Sequence, residues 1–198
     1  MKHNGKQYTK QEAIRIITRA AQRYNVNLSG RRFLVVYDAG DTLGSAYISF
    51  GKAHFAHLTG LKINLRPAVF YDRCLDSRIS QRDFDFTAHG NEMLKLSVLE
   101  QLPGFLWGPN LRGDFNRTGI YLSSDYFIGK TSGVLSVGFR HTATDDIPVS
   151  LMKEDIRKVT IRSDRVLAVW RSDPGSAACT ELIFLASGQD EQELLKKL

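Results

Sequence analysis

The chain has 198 residues, 42% of them hydrophobic and 10% aromatic, enough to bury a core and too apolar for a disordered segment. No apolar run approaches the roughly 18 residues of a membrane-spanning helix. The start, MKHNGKQYTKQE, has no apolar secretory stretch, and two cysteines, Cys74 and Cys179, are too few for a disulfide scaffold or a paired metal motif, so a soluble cytoplasmic protein is expected.

The formal charge is +6, and its position is more informative than its size. Residues 1–32 hold eight basic side chains (Lys2, Lys6, Lys10, Arg15, Arg19, Arg23, Arg31 and Arg32) against Glu12 alone, a net +7. The other residues carry 19 basic and 20 acidic side chains, a net −1. A localised basic segment suits a polyanion, and nucleic acid is the commonest one inside cells. The plainer alternative is a solvated helix face.

In chain order, Thr9-Lys10-Gln11-Glu12 matches a capping box and opens a helix over about 10–25. Ile14, Ile17, Ala21 and Tyr24 form its buried stripe. Arg15, Arg19 and Arg23 recur every four residues and form an exposed ridge beside that stripe. FLVVY (33–37) and AYISF (46–50) flank AGDTLG as a β-hairpin. HFAHLTGL (54–61) follows, and Pro67 starts a short helix through Leu75. A further helix spans about Asn91–Leu102, with Leu94, Val98, Leu99 and Leu102 inward and Pro103-Gly104 stopping it. Residues 108–118 (GPNLRGDFNRT) read as a polar loop that offers Arg112 and Arg117 to nucleic acid.

Beyond residue 118 the period shortens. GIYLSS, DYFIGK, GVLSVGFR, VTIRS, RVLAVWR and TELIFLAS are β-like runs, the last two joined as a hairpin through Arg171-Ser-Asp-Pro-Gly-Ser. Ser150 caps a short helix with Glu154 and Asp155 in its first turn, and a last helix covers 189–197. Helices early and antiparallel strands late make an α+β protein, without internal repeats or low-complexity segments.

HFAHLTGL carries the chemistry that the residues leave open. His54 and His57, three apart, would share one helix face. They suit a metal-ligand pair, a catalytic imidazole with a neighbour, or two core side chains. A metal site would need a third ligand, yet His3, His89 and His141 lie in unrelated contexts and no HExxH or Asp-rich loop is present. GKTSG and GRRFLVV lack phosphate-loop spacing. As a catalytic group, His57 would have Phe55, Leu58 and Leu61 shielding one side of its ring, with Thr59-Gly60 ending the turn. Lys95 lies along the apolar edge of its helix, either snorkelling to water or pointing into a polar pocket. Arg140 closes its strand in a similarly ambiguous place.

HLTG at 57–60, the segment ending in Thr87, the Lys95 helix, GFR and IPVSLMKEDIRKV together resemble the phage-encoded barnase–EndoU–colicin–RelE-like nucleases, fourth group. The similar part spans roughly 33–158 of a single nuclease-like domain, leaving a basic N-terminal helical extension (1–32) and a C-terminal hairpin and helix (159–198) outside. The resemblance implies helices packed on an antiparallel β-sheet and RNA cleavage without metal or cofactor. His57 would be the leading catalytic residue, with Thr59, Lys95, Arg140 and Ser150 as partners. The expected protein is an RNA endonuclease of toxin or mobile-element type, with RNA as substrate and an inhibitor or immunity protein as a further partner. It keeps no membrane contact. A clear second catalytic histidine is missing, His141 lying at a loop edge. The alternatives are a non-catalytic nucleic-acid or protein binding module of the same fold and, more remotely, a metal-dependent hydrolase using His54 and His57.

Overall fold

The computed structural model describes residues 7–87, 90–117, 122–131 and 134–198. Lys2, Lys6, His3, His89, the first half of GIYLSS, Thr118 and the end of GKTSG lie outside the described residues. Helix α1 (Lys10–Asn27) starts as its capping box dictates: the Thr9 hydroxyl accepts from the Glu12 amide at 3.2 Å, and the Glu12 carboxylate accepts from the Thr9 amide at 2.8 Å. Ala13, Ile17, Ala20, Ala21 and Tyr24 form its buried side. Tyr24 meets Phe50, Phe55 and Tyr71 edge to face and donates its hydroxyl to the Gly51 carbonyl at 3.0 Å. One buried tyrosine thereby ties the first helix to the start of HFAHLTGL.

Strands β1 (Arg31–Asp38) and β2 (Leu43–Phe50) form the expected antiparallel hairpin. Helix α2 (Lys52–Thr59) follows, then β3 (Lys62–Ile63), α3 (Pro67–Leu75), β4 (Phe84–Asp85) and α4 (Asn91–Leu99). Short β3 and β4 pair with each other. The remaining strands are β5 (Leu111–Asp114), β6 (Tyr126–Gly129), β7 (Ser136–Arg140), β8 (Ile147–Met152), β9 (Asp164–Ser172) and β10 (Cys179–Leu185). The main sheet runs β2-β1-β9-β5-β6-β7-β8, with β10 also on β9, and every named pair is antiparallel. The sheet curls until its outermost strands meet, Ser49 donating to the Asp146 carbonyl at 3.0 Å and Asp146 to the Tyr47 carbonyl at 2.8 Å. Such contact partly covers two otherwise exposed edges. Helices α1 to α4 pack on one face of this sheet around Phe33, Phe50, Phe55, Tyr126, Phe139 and Leu151, whereas two short C-terminal helices, Ile156–Val159 and Glu191–Lys196, lie against the other face, on Phe127 and on Leu34 and Val36. The fold is α+β, helices on an antiparallel sheet, as expected.

Several local expectations give way. IPVSLM is strand β8, so Ser150 caps no helix; the cap of short α5 (Ile156–Val159) is Asp155, whose carboxylate accepts from the Arg157 amide. Ile147 and Val149 suit a pleated edge, where Pro148 is tolerated. Pro103-Gly104 does not stop α4, which has already ended at Leu99; both lie in a 3-10 helix, Leu102–Trp107, whose first turn needs no proline N–H. Leu94 is only partly buried, and Met93 and Leu96 turn inward instead. The "loop" 108–118 contains β5, because Gly113 lets the Arg162 carbonyl approach to where a Cβ would be 2.2 Å from it. VTIRS is no strand: Val159 ends α5 and Thr160 makes one isolated bridge to Phe115. A last helix, α6 (Glu191–Lys196), is present as expected. No helix among the described residues is long and apolar enough to cross a membrane.

Candidate functional site

Helix α2 decides how HFAHLTGL presents its two histidines. Phe55, Ala56, Leu58 and Thr59 are buried, which leaves His57 exposed and His54 half-buried. The shielding expected around His57 therefore falls on its neighbours instead: Phe55, Leu58 and Leu61 point into the core and leave the ring in water. His54 Nδ1 accepts from the Gly51 amide at 3.0 Å, so that nitrogen is unprotonated and the ring's proton sits on Nε2. Burial, then His57 and Arg140, depress the His54 pKa, which keeps the ring neutral.

The turn after α2 is built for close approach. The Thr59 hydroxyl is fully buried, donating to the Ala56 carbonyl at 2.7 Å and accepting from the Leu61 amide at 3.2 Å. Its polar atom is spent on the turn. Gly60 caps the helix at φ 72°, and a Cβ there would lie 2.6 Å from Lys95 Cδ. Glycine is thus required both for the left-handed cap and for the Lys95 stem lying across it.

Lys95 projects from α4 into a cleft of about 640 Å³ lined also by Gly60, Thr87, Asn91, Leu122, Ser150, Met152 and Glu154. Its ammonium makes no hydrogen bond or ion pair with any described residue, and burial lowers its pKa. It is the pocket alternative, not the snorkelling one. Thr87 donates its amide (3.0 Å) and hydroxyl (2.6 Å) to Glu92, a carboxylate 1% exposed that anchors this wall. Ser150 faces the cleft from β8, where it pairs with Gly138. The structure thus brings Lys95, Ser150 and Gly60 into one cleft, and His57 lies one helical turn before Gly60. Arg140, exposed at the end of β7, does not line the cleft.

The basic residues are divided. Arg15, Arg19 and Arg23 form the expected exposed ridge, although Arg19 lies 3.9 Å from the Glu100 carboxylate and Arg23 donates to the Glu100 carbonyl at 3.1 Å. Much of the other N-terminal charge is committed: Lys10 to Asp85 and two carbonyls, Arg31 to the Ser172 carbonyl, Arg32 to Asp145. Arg112 is no loop residue. Its guanidinium is largely buried, pairs with Asp114 at 2.6 Å and lies over the Tyr37 and Tyr126 rings. Arg117 is exposed, 3.5 Å from Asp125. Among the described residues no three His, Cys, Asp or Glu side chains are grouped to hold a metal ion. What the residue pattern misses is Glu92, the tautomer of His54, and a contact between His141 and Asp146 across the β7–β8 turn. No sequence pattern marks Thr87 and Glu92 as a hydrogen-bonded pair.

No curated protein and no solved structure matches the chain. A family model described as phage-Barnase-EndoU-ColicinE5/D-RelE like nuclease4 matches residues 16–184. The match begins inside α1 and ends inside β10, so it takes in most of both segments that the motifs leave outside. It covers both walls of the Lys95 cleft, the α2 turn and the β7–β8 hairpin, and the chain belongs to this family of phage-related nucleases.

Proposed function

We propose that this nuclease is a metal-independent RNA endonuclease, of toxin or mobile-element effector type, in which the 2′-hydroxyl of the substrate attacks its own phosphate. The observation that carries the reading is Lys95, a desolvated ammonium without a partner among the described residues, on the wall of a cleft. A half-buried cation without a partner among the described residues gains from an anionic one, and a phosphate supplies it. In this reading His57 takes the 2′-proton, Lys95 offsets the charge of the phosphorane from the cleft, Arg140 adds positive charge from outside it, and Ser150 donates a hydrogen bond from the cleft wall. Thr59 contributes by holding the turn. The donor set favours proton transfer and charge stabilisation over metal ligation.

Purified protein given mixed RNA and matched DNA cleaves the RNA and leaves the DNA intact. Lys95→Met lowers RNA cleavage by about 10²–10³, the scale for losing one fixed group that stabilises transition-state charge. Its melting temperature stays level or rises, since a desolvated charge is removed. Cleavage by Lys95→Met at the original rate overturns the assignment.

The exposed ridge of α1 would hold RNA without sequence preference. Replacing Arg15, Arg19 and Arg23 by glutamine flattens the log–log salt slope of RNA binding by about two to three, near one unit per lost phosphate contact. Stability changes little, because exposed pairs such as Arg19–Glu100 contribute about 0–1 kcal/mol. An unaltered slope returns the ridge to a solvated face.

A further inference from the structure

Resting on the ribonuclease reading, we infer that His141 is the second acid–base group of the reaction, donating a proton to the leaving 5′-oxygen, with Asp146 and Tyr126 as its positioning residues. Arg140 and Ile147 pair at the end of the β7–β8 hairpin, which sets residues 141 and 146 facing each other across the turn. His141 Nδ1 lies 2.9 Å from Asp146 Oδ1, and the other carboxylate oxygen accepts the Tyr126 hydroxyl at 2.7 Å.

The support beneath this imidazole is rigid. The Asp146 side chain is 13% exposed, and its backbone is bonded on both sides to β2. Tyr126 is fully buried and stacks on Phe139 with centroids 5.5 Å apart. The His141 ring leans on Tyr126 at 5.3 Å, and its amide donates to Asp125 at 2.9 Å. The imidazole itself is 60% exposed.

Tautomers separate the two candidate histidines. A carboxylate only accepts, so His141 Nδ1 carries a proton and Nε2 is the outward nitrogen that gains or loses one. His54 is the reverse: its Nδ1 is occupied by the Gly51 amide and its neutral Nε2 already bears hydrogen. Only His141 can release a proton from its outward nitrogen and remain in the form its partner holds. The turn that carries His141 and the start of α2 share one stretch of surface, where Thr144 and Asp145 line a cavity together with Gly51 and His54.

The step balances. The 2′-oxygen bonds to phosphorus as its proton passes to His57. The bond from phosphorus to the 5′-oxygen breaks as the His141 Nε2 proton passes to that oxygen. No oxidant, metal or further reactant is consumed.

The test compares an RNA dinucleotide with uridine 3′-(p-nitrophenyl phosphate), whose nitrophenolate leaves without being protonated. His141→Gln should slow dinucleotide cleavage by about a hundredfold or more and leave release of nitrophenolate within about threefold of wild type. His57→Ala should slow both. In the wild-type chain, imidazole ¹⁵N shifts should report neutral His141 protonated at Nδ1; in Asp146→Asn the tautomer mixture should shift and dinucleotide cleavage fall with unchanged melting. Unimpaired dinucleotide cleavage by His141→Gln, or equal loss on both substrates, overturns the acid assignment. A wild-type chain that cleaves neither substrate overturns the ribonuclease reading itself, and the ¹⁵N shifts then test the dyad separately.

Discussion

A single 2′-deoxynucleotide at the cut site should abolish cleavage by this protein, while the same oligonucleotide in all-ribose form should be cut in excess chelator. The site offers the ammonium of Lys95 in the cleft and exposed imidazoles at His57 and His141, with no group of three metal-ligating side chains among the described residues. Cations and imidazoles can move protons and offset charge, but they do not supply the attacking oxygen. RNA carries that oxygen in its 2′-hydroxyl. Attack from there is intramolecular, so its entropic cost is small and the protein need only align it with the leaving oxygen. The fragments then end in 2′,3′-cyclic phosphate and 5′-hydroxyl. Mass spectrometry reads both ends directly. Fragments bearing 5′-phosphate, or activity lost to chelator and restored by one divalent ion, would favour a metal-dependent reaction at the His54–His57 pair.

His57→Ala should lower RNA cleavage by about two to four orders of magnitude, the range for lost acid–base catalysis, with the melting temperature nearly unchanged. The second half follows from exposure: the ring lies in water and makes no hydrogen bond with a described residue, so deleting it leaves no cavity and no orphaned partner. His54→Ala behaves in the opposite way. It strips the Gly51 amide of its acceptor at the start of α2 and destabilises the fold by about 1 kcal/mol, the usual net value of one hydrogen bond. Denaturation curves and single-turnover rates on both variants separate the roles. Normal cleavage by His57→Ala, or melting of that variant with full activity in its folded fraction, sinks the catalytic reading of HLTG.

Elements whose signals lie within one turn of chain were legible without the structure. The Thr9–Glu12 box starts α1, Pro67 starts α3 and Leu75 ends it, and AGDTLG closes the β1–β2 hairpin, because capping, proline geometry and alternation act between near neighbours. The family's motifs were legible for the same reason, and so were His57, Lys95, Arg140 and Ser150 as residues worth weighing. Their surroundings were not. IPVSLM carries helix-cap chemistry at Ser150, yet it is a strand because β7 offers it a ladder that no local rule contains. Arg112 looked free in a glycine-rich loop, but the close approach of residues 160–162 makes that segment β5 and closes two tyrosine rings over the guanidinium. Which histidine of HFAHLTGL faces water depends on the phase at which α2 meets the core, and the anchor setting that phase is Tyr24, bonded to Gly51 from 27 residues away. Composition and local spacing therefore determined the fold class, most helices and the candidate side chains. Tertiary packing alone decided which were buried, which tautomers they hold and which share a cleft, since each depends on groups far apart in the chain meeting within a few ångströms.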